Sequence, residues 1–267
     1  MPEGDTVYKT ARLQNAALAG RTLTGFDIRM PKFATVDLTG QVIREVVSIG
    51  KHLFHRFSGS EEGADGPALS LHTHLKMEGA WRTLAPGQAW PRPAYQARAV
   101  LTTAEVVAIG FELGTTELLP TADEGSVVGH LGPDLLGDWD PEEAVRRLAE
   151  HGDVPVFVAL LDQRNLAGVG NVYANELCFL RGMLPTRPVA EVTDLAATVR
   201  LAHRMLDANK DRWTRSTTGD LRPGRTSWVY GRAGRPCRRC GTRLLGGELG
   251  RWEGEERVVT WCPVCQR

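Results

Sequence analysis

Two short knuckles near the C-terminus constrain this chain most: Cys237-Arg238-Arg239-Cys240 and, after 21 intervening residues, Cys262-Pro263-Val264-Cys265. Paired C-x-x-C motifs at this spacing offer four thiolates, the donor set of a closed, tetrahedral structural zinc site, whereas a redox dithiol needs only one such pair. Residues 233–267 are rich in Gly, Arg and Cys and too polar to build a core unaided, so a bound zinc ion is expected to supply the missing folding free energy. Between the knuckles, "GTRLLGGELGRWEGEERVVTW" places two apolar-flanked stretches around a glycine- and glutamate-rich turn, the pattern of a β-hairpin. A hairpin pinned by metal is a small rigid finger. On these residues alone it reads equally as a probe of DNA or as a ribbon that only stabilises its domain. The fifth cysteine, Cys178 in the apolar run "NELCFL", reads as a core residue.

The remaining 230 or so residues are enough for one large domain or two smaller ones, and 42% hydrophobic content supports packed cores. No apolar run reaches membrane-spanning length and the N-terminus lacks a basic-then-apolar signal, so a cytoplasmic location is expected, and no membrane partner. Net charge is zero but segregated. Residues 200–267 carry 15 Lys and Arg against 7 Asp and Glu, while residues 103–196 carry 5 against 16. The basic quarter is arginine-dominated, as suits bidentate phosphate contact, although a solvated basic face that binds nothing has the same composition.

A helix is expected from the N-terminus to about Ala19, with Gly20 as its stop. Short β-branched stretches punctuated by glycine follow: "TLTGFDIRM", "GQVIREVVSIG", "KHLFHRFSG", "PALSLHTHLKMEGAWRTL" and "YQARAVLTTAEVVAIGFELGTTEL". Segment 61–67, "EEGADGP", is a polar turn or loop. Residues 1–125 therefore read as one helix packed with a β-sandwich or flattened barrel. From Pro141 the period becomes helical: "DPEEAVRRLAEHG" carries an Asp cap, a proline at the first helical position and a glycine stop. The predicted fold class is α+β and multidomain, with a β-sandwich at 1–125, a helical domain at 130–215 and a zinc-finger hairpin at 228–267.

Three further stretches carry chemistry. Pro2 and Glu3 in "MPEGD" suit the first turn of a helix, but a proline nitrogen freed by removal of Met1 is also a secondary amine able to form an imine with a sugar carbon. "LLDQRNLAGVGNVYANELCFLRG" reads as a helix end, a tight turn over residues 167–170 and a second helix from Asn171. Its leading N–H groups, with the Asn171 amide, could cradle a phosphate; a plain αα-hairpin has the same pattern. Lys51 stands at a β-turn tip, either as an exposed turn lysine or as a charge for a phosphate.

Taken together, "MPEG", "SIGKHLF", "LAGVGNVYANE", "VYGRAGRPCRRCG" and "CPVCQR" resemble the formamidopyrimidine-DNA glycosylase/endonuclease VIII family of base-excision repair enzymes, over essentially the whole chain. The "MPEGD" start is more similar to the endonuclease VIII branch, in an actinobacterial form. The resemblance implies a β-sandwich led by the catalytic helix, a helix–two-turn–helix domain, a zinc finger and a DNA cleft between the halves. It also implies roles: Pro2 as the nucleophile on C1′, Glu3 as the acid/base that assists sugar opening, Lys51 as the hairpin lysine, Asn171 as the phosphate-binding asparagine and Arg257 as the finger arginine. Damaged DNA is the implied partner, reached by a monomer that joins the bacterial nucleoid during repair.

Physical chemistry is compatible with these roles. An α-amine titrates near pH ~8, so a useful fraction of Pro2 is neutral in a cell, and a neighbouring helix N-terminus disfavours its proton further. An enzyme that flips a nucleotide must fill the gap with an apolar wedge, and Met77 in "HTHLKMEG" is the candidate, a place in the core being the alternative for a methionine at a strand end. Where the formamidopyrimidine branch places arginine and phenylalanine wedges this chain has "GFELG", with Phe111 and Leu113 near those positions and no arginine to pair with an orphaned cytosine. The loop "TRSTTGDLRPGRTSW" is also short for a purine-capping lid. The expected function is a bifunctional glycosylase/AP lyase for oxidised pyrimidines. The alternatives are a purine-directed glycosylase and a non-catalytic zinc-finger DNA-binding protein, for which the set Pro2, Glu3 and Lys51 has no use.

Overall fold

Helix α1 (Gly4–Leu18) turns Val7, Ala11, Gln14 and Leu18 to one side, the i, i+4, i+7 spacing of a single helical face, and all four are buried. The structure is a computed structural model that describes residues 2–58 and 67–267; Met1 and all but the last residue of the expected loop 61–67 lie outside the described residues. These residues form two compact units. Pro2 and Thr6–His130 make the first; Glu3–Asp5 and Leu131–Arg267 make the second.

The first unit contains two four-stranded antiparallel sheets. One runs in the order β1 (Leu23–Ile28), β6 (Ala97–Thr103), β7 (Val107–Phe111), β5 (Ala80–Leu84). The other runs β2 (Ile43–Ile49), β3 (His52–Phe57), β4 (Leu69–His74), β8 (Thr115–Pro120). One hydrophobic cluster draws Val7, Ala11 and Leu18 of α1 together with Leu23, Ile28, Trp81, Leu101 and Ala108 of the first sheet and Ile43, Leu53, Phe57 and Leu71 of the second. This is the expected β-sandwich with its leading helix. Each fully buried Leu, Ile or Phe contributes about 1.5–3 kcal/mol. Polar bonds fix the helix on the second sheet: the Val46 N–H donates to Asn15 Oδ1 at 2.8 Å, and His55 Nε2 lies 2.6 Å from Gln14 Oε1. A short helix α2 (Glu124–Val128), which the strand-rich sequence pattern did not announce, follows β8.

The second unit is helical: α3 (Pro141–Ala149), α4 (Val156–Leu161), α5 (Asn171–Leu180) and α6 (Leu195–Asp207). The predicted Asp cap is present, with Asp140 Oδ1 accepting from the N–H groups of Glu142 and Glu143 at 3.1 and 3.0 Å. Helix α5 is buried on all sides from Asn171 to Phe179, which its apolar composition permits. The chain closes with the expected hairpin, β9 (Leu245–Leu249) paired antiparallel to β10 (Arg257–Trp261), over a small core of Phe179, Val229, Cys237, Leu244 and Cys262. Among the described residues no helix is long and apolar enough to cross a membrane.

Candidate active site

Glu3 is the centre of a buried polar cluster in the second unit. Its side chain is fully buried, and its carboxylate accepts from the backbone N–H groups of Gly170 (2.9 Å), Val172 (2.7 Å) and Tyr173 (3.4 Å). Those groups open helix α5, so the anion-binding end of this helix is taken by Glu3. The leading N–H groups expected from sequence to cradle a phosphate are therefore already engaged, because a helix N-terminus accepts whichever anion the fold supplies. The approach requires glycine at 170: a Cβ there would lie 2.5 Å from Glu3 Cδ and 2.8 Å from its Oε1. The preceding Gly168 adopts φ +106, a left-handed conformation suited to glycine, and its carbonyl accepts from the Gly4 N–H at 2.9 Å.

Asp5 completes the cluster. Its carboxylate is gripped by Arg215, with Nε to Oδ2 at 2.7 Å and Nη2 to Oδ1 at 2.5 Å, and accepts from the Tyr173 hydroxyl at 3.0 Å. Arg215 Nη1 also lies 3.9 Å from Glu3 Oε1, and its guanidinium carbon stands 5.1 Å from the Tyr173 ring centroid. Burial opposes charge on Arg215, but the hydrogen bonds to Asp5 and the charges of Glu3 and Asp5 outweigh it and raise its pKa above the ordinary value. Burial, then the Asp5 charge, likewise pushes the Tyr173 phenol up, so it remains a donor.

Asp5, Tyr173 and Arg215 were not singled out as site residues from sequence. Asp5 reads as an acid complementing the α1 dipole and Arg215 as one of many C-terminal arginines; no local signal pairs residues 210 positions apart. Glu176 was also missed. Fully buried, it accepts from the N–H groups of Trp228, Val229 and Tyr230, each at 2.8 Å, and from the Thr217 hydroxyl, pinning both ends of the 217–228 loop.

Asn171 is 5% exposed and its Oδ1 accepts from Asn175 Nδ2 at 3.1 Å. Pro2 is half-buried. In the first unit, Gly50 (φ +59) and Lys51 form the two-residue turn between β2 and β3, the II′ arrangement that glycine at the first central position favours. Beside this turn lies a histidine layer that sequence reading passed over: His52 Nδ1 is 2.9 Å from His72 Nε2, and His72 Nδ1 is 3.1 Å from Glu117 Oε2. Burial, then His72 and His74, pushes His52 down to about 3; burial, then Lys76 and Lys51, pushes His74 down to about 4. Met77 is 57% exposed, beside Lys76 at φ +50. Phe111 and Leu113 are core residues.

On the finger, Arg257 opens β10 as an exposed side chain whose Nη1 donates to the carbonyls of Glu255 (3.1 Å) and Glu256 (3.0 Å). The sulfurs of Cys237, Cys240, Cys262 and Cys265 all lie within 4.8 Å of one another, with 4.0 Å between 237 and 265 and 3.5 Å between 240 and 262. A tetrahedral ion with bonds of about 2.3 Å to sulfur sets its ligands roughly 3.8 Å apart, so the four thiols fit one metal ion. The Arg239 and Cys265 N–H groups donate to Cys237 Sγ and Cys262 Sγ, each at 3.4 Å, orienting the sulfurs inward as outer-shell donors do.

A helix-led sandwich, a helical unit with a glycine turn and a four-cysteine hairpin together make an architecture also found in a solved structure of a DNA glycosylase. Lactococcus lactis Fpg (MutM), in a complex with a N7-benzyl-Fapy-dG containing DNA, aligns over 100% of both chains with a TM-score of 0.76 at 22% identity. Residues 1–113 match the formamidopyrimidine-DNA glycosylase N-terminal domain and residues 131–208 the formamidopyrimidine-DNA glycosylase H2TH domain, and the chain belongs to this enzyme family. It is 53% identical to the DNA-(apurinic or apyrimidinic site) lyase Nei2 of Mycolicibacterium smegmatis, over 100% of this chain and 99% of that one. It is 51% identical to a probable endonuclease 8 2 of Streptomyces coelicolor, over 100% and 94%.

Proposed function

We propose that this chain is a bifunctional DNA glycosylase/AP lyase that excises oxidised pyrimidines through a Schiff base on the Pro2 nitrogen and cleaves the strand by β,δ-elimination. The observation that carries the reading is the Glu3 carboxylate, fully buried on the N-terminus of α5 and one residue from Pro2. Once Met1 is removed, the neutral Pro2 amine attacks C1′, the Glu3 carboxylate takes the proton released by the attacking nitrogen and passes it to the ring oxygen as the C1′–O4′ bond breaks, and the base leaves as its bond to C1′ breaks, taking a proton from water. The resulting iminium acidifies the neighbouring C2′ hydrogen, so the 3′ phosphate is eliminated first and the 5′ phosphate second. Lys51 on its tight turn, Asn171 and Arg257 on the finger are the proposed phosphate partners. Zinc, held by the four cysteines, supplies folding free energy to the hairpin and takes no part in the chemistry.

The pyrimidine preference rests on two features. The stretch "GFELG" carries no arginine to pair with an orphaned cytosine and its Phe111 and Leu113 are buried, while Met77 is exposed as a void-filling side chain must be. The loop 217–228 is short and closed at its base by Glu176. Similarity at 53% to a protein named an AP-site lyase supports the lyase half. Borohydride trapping on a panel of lesion-bearing duplexes tests the whole reading. The strongest covalent complexes are expected on oxidised pyrimidines. Stronger trapping on 8-oxoguanine opposite cytosine makes the enzyme purine-directed, and tight binding without trapping makes it a non-catalytic binder.

A further inference from the structure

The tripeptide Glu3-Gly4-Asp5 is held at every residue: Glu3 by the start of α5, Gly4 by the Gly168 carbonyl, and Asp5 by Arg215 and Tyr173. Arg215 is the one member contributed by the chain beyond α6. Only 17% of its side chain is exposed, against 5% for Asp5 and none for Glu3. Its backbone is itself anchored, since the next residue, Ser216, donates its N–H to Asn209 Oδ1 at 2.8 Å and its carbonyl accepts from Asn209 Nδ2 at 3.1 Å. A guanidinium locked by two parallel bonds to one carboxylate, and standing 3.9 Å from a second, has its fork directed into the protein. That orientation separates Arg215 from the other arginines of the basic quarter, which composition alone assigns to phosphate.

We infer that Arg215, fixed by Asp5 and Tyr173, is a positioning residue for Glu3: it clamps the first turn of α1 so that the Glu3 carboxylate keeps the place and orientation that base excision needs. This rests on the reading of Glu3 as the acid/base. Excision depends on Glu3, whereas cleavage at a preformed abasic site, where the base is already gone, depends on it less. Loss of the clamp should therefore separate the two activities. A phosphate-binding arginine would instead weaken DNA binding and its salt dependence, and a purely structural one would lower both activities together.

The test uses full-length protein with D5N, R215Q, R215K, D5N/R215Q, E3Q and E3Q/R215Q. D5N/R215Q keeps the shapes of the pair without a lone buried charge, so it folds even where R215Q does not. Single-turnover excision from a thymine glycol duplex, cleavage of a preformed abasic duplex, and the salt slope of binding to a tetrahydrofuran duplex are measured on each. Excision is expected to fall about a hundredfold in D5N/R215Q, as for a catalytic group displaced by about an ångström, with partial recovery in R215K. Abasic cleavage and the salt slope stay near wild type, and R215Q costs excision nothing further in the E3Q background. Wild-type excision by D5N/R215Q, equal loss of both activities, or a salt slope lowered by about one overturns the inference. Wild-type excision by E3Q overturns the Glu3 assignment itself, which the inference requires.

Discussion

Replacing Gly170 by alanine adds one methyl group at the most crowded point of the site. The backbone there, φ −125 and ψ −164, is ordinary extended conformation that alanine adopts without strain, so any effect is steric. The new Cβ would lie 2.5 Å from Glu3 Cδ and 2.7 Å from Cγ, where unstrained carbon contacts need about 3.5–4.0 Å. Glu3 must retreat by about 1 Å, which stretches the bonds from the Gly170 and Val172 N–H groups, now 2.9 and 2.7 Å, beyond hydrogen-bonding range. Two hydrogen bonds to a charged group, at about 1.5 kcal/mol or more each, give a loss of about 3 kcal/mol. For a unit of this size that is a fall of roughly 6–12 °C in apparent Tm. With Glu3 as the proposed acid/base, its displacement by about 1 Å is expected to lower excision about a hundredfold. Gly125, in helix α2 with open space where its Cβ would be, is the control, and G125A is expected to match wild type. Differential scanning fluorimetry and single-turnover excision read both effects. G170A that melts and excises like wild type would refute the steric contact and the role given to Glu3's placement.

Three other outcomes are expected. Acetylating the N-terminus abolishes borohydride trapping, whereas Pro2→Gly, which retains a primary amine, keeps part of it; undiminished trapping after acetylation moves the nucleophile to a lysine. C240S loses its metal by elemental analysis and unfolds the finger, with weaker DNA binding and a shallower salt slope, while R257A keeps the metal and shifts products toward incomplete strand processing; lesion binding as tight as wild type by C240S rejects a DNA-contacting finger. The histidines of the first unit set an acid limit. His52 and His55 are pushed down to about 3 and His74 to about 4, burial being the largest cause in each. The folded state therefore binds fewer protons than the unfolded one below pH ~6.5, and stability falls toward pH ~4 by about 1.4 kcal/mol per pH unit per histidine. Denaturant titrations across that window check the slope; a flat profile rejects it.

What was legible in the sequence is what local spacing encodes. Ligand spacing within each C-x-x-C knuckle, the glycine stop of the first helix at Gly20, the Asp140-Pro141 cap and the Gly50-Lys51 turn each need only a few neighbouring residues, and each appears where the sequence places it. The cluster around Glu3 was only half legible. A glycine turn before Asn171 announces a helix N-terminus in want of an anion, but phosphate and a distant glutamate satisfy that want equally well, and only the fold brings residue 3 to residue 170. Asp5 shows the same limit. Its place in the first turn of α1 is a complete local explanation, and the bond to Arg215 adds a second role that no helical periodicity signals.

Helix α5 explains why these distant pieces stay in register. A helix buried on every side ordinarily excludes polar groups, because each one left unsatisfied costs about 1–3 kcal/mol. Here the polar side chains of Tyr173, Asn175 and Glu176 are each matched to a different segment. Tyr173 donates to Asp5 of the N-terminal turn, Asn175 bonds the Val258 carbonyl and the Thr260 N–H of β10, Glu176 closes the 217–228 loop, and the helix end itself binds Glu3. Sliding α5 by even one residue would strand several of these groups at once, at a summed cost comparable to the stability of a whole domain. The run "NVYANE" is therefore a specificity device as much as a core. It admits one arrangement of the N-terminal turn, the loop and the finger strand, and that arrangement is the one in which the Glu3 carboxylate is buried, oriented and next in chain to Pro2.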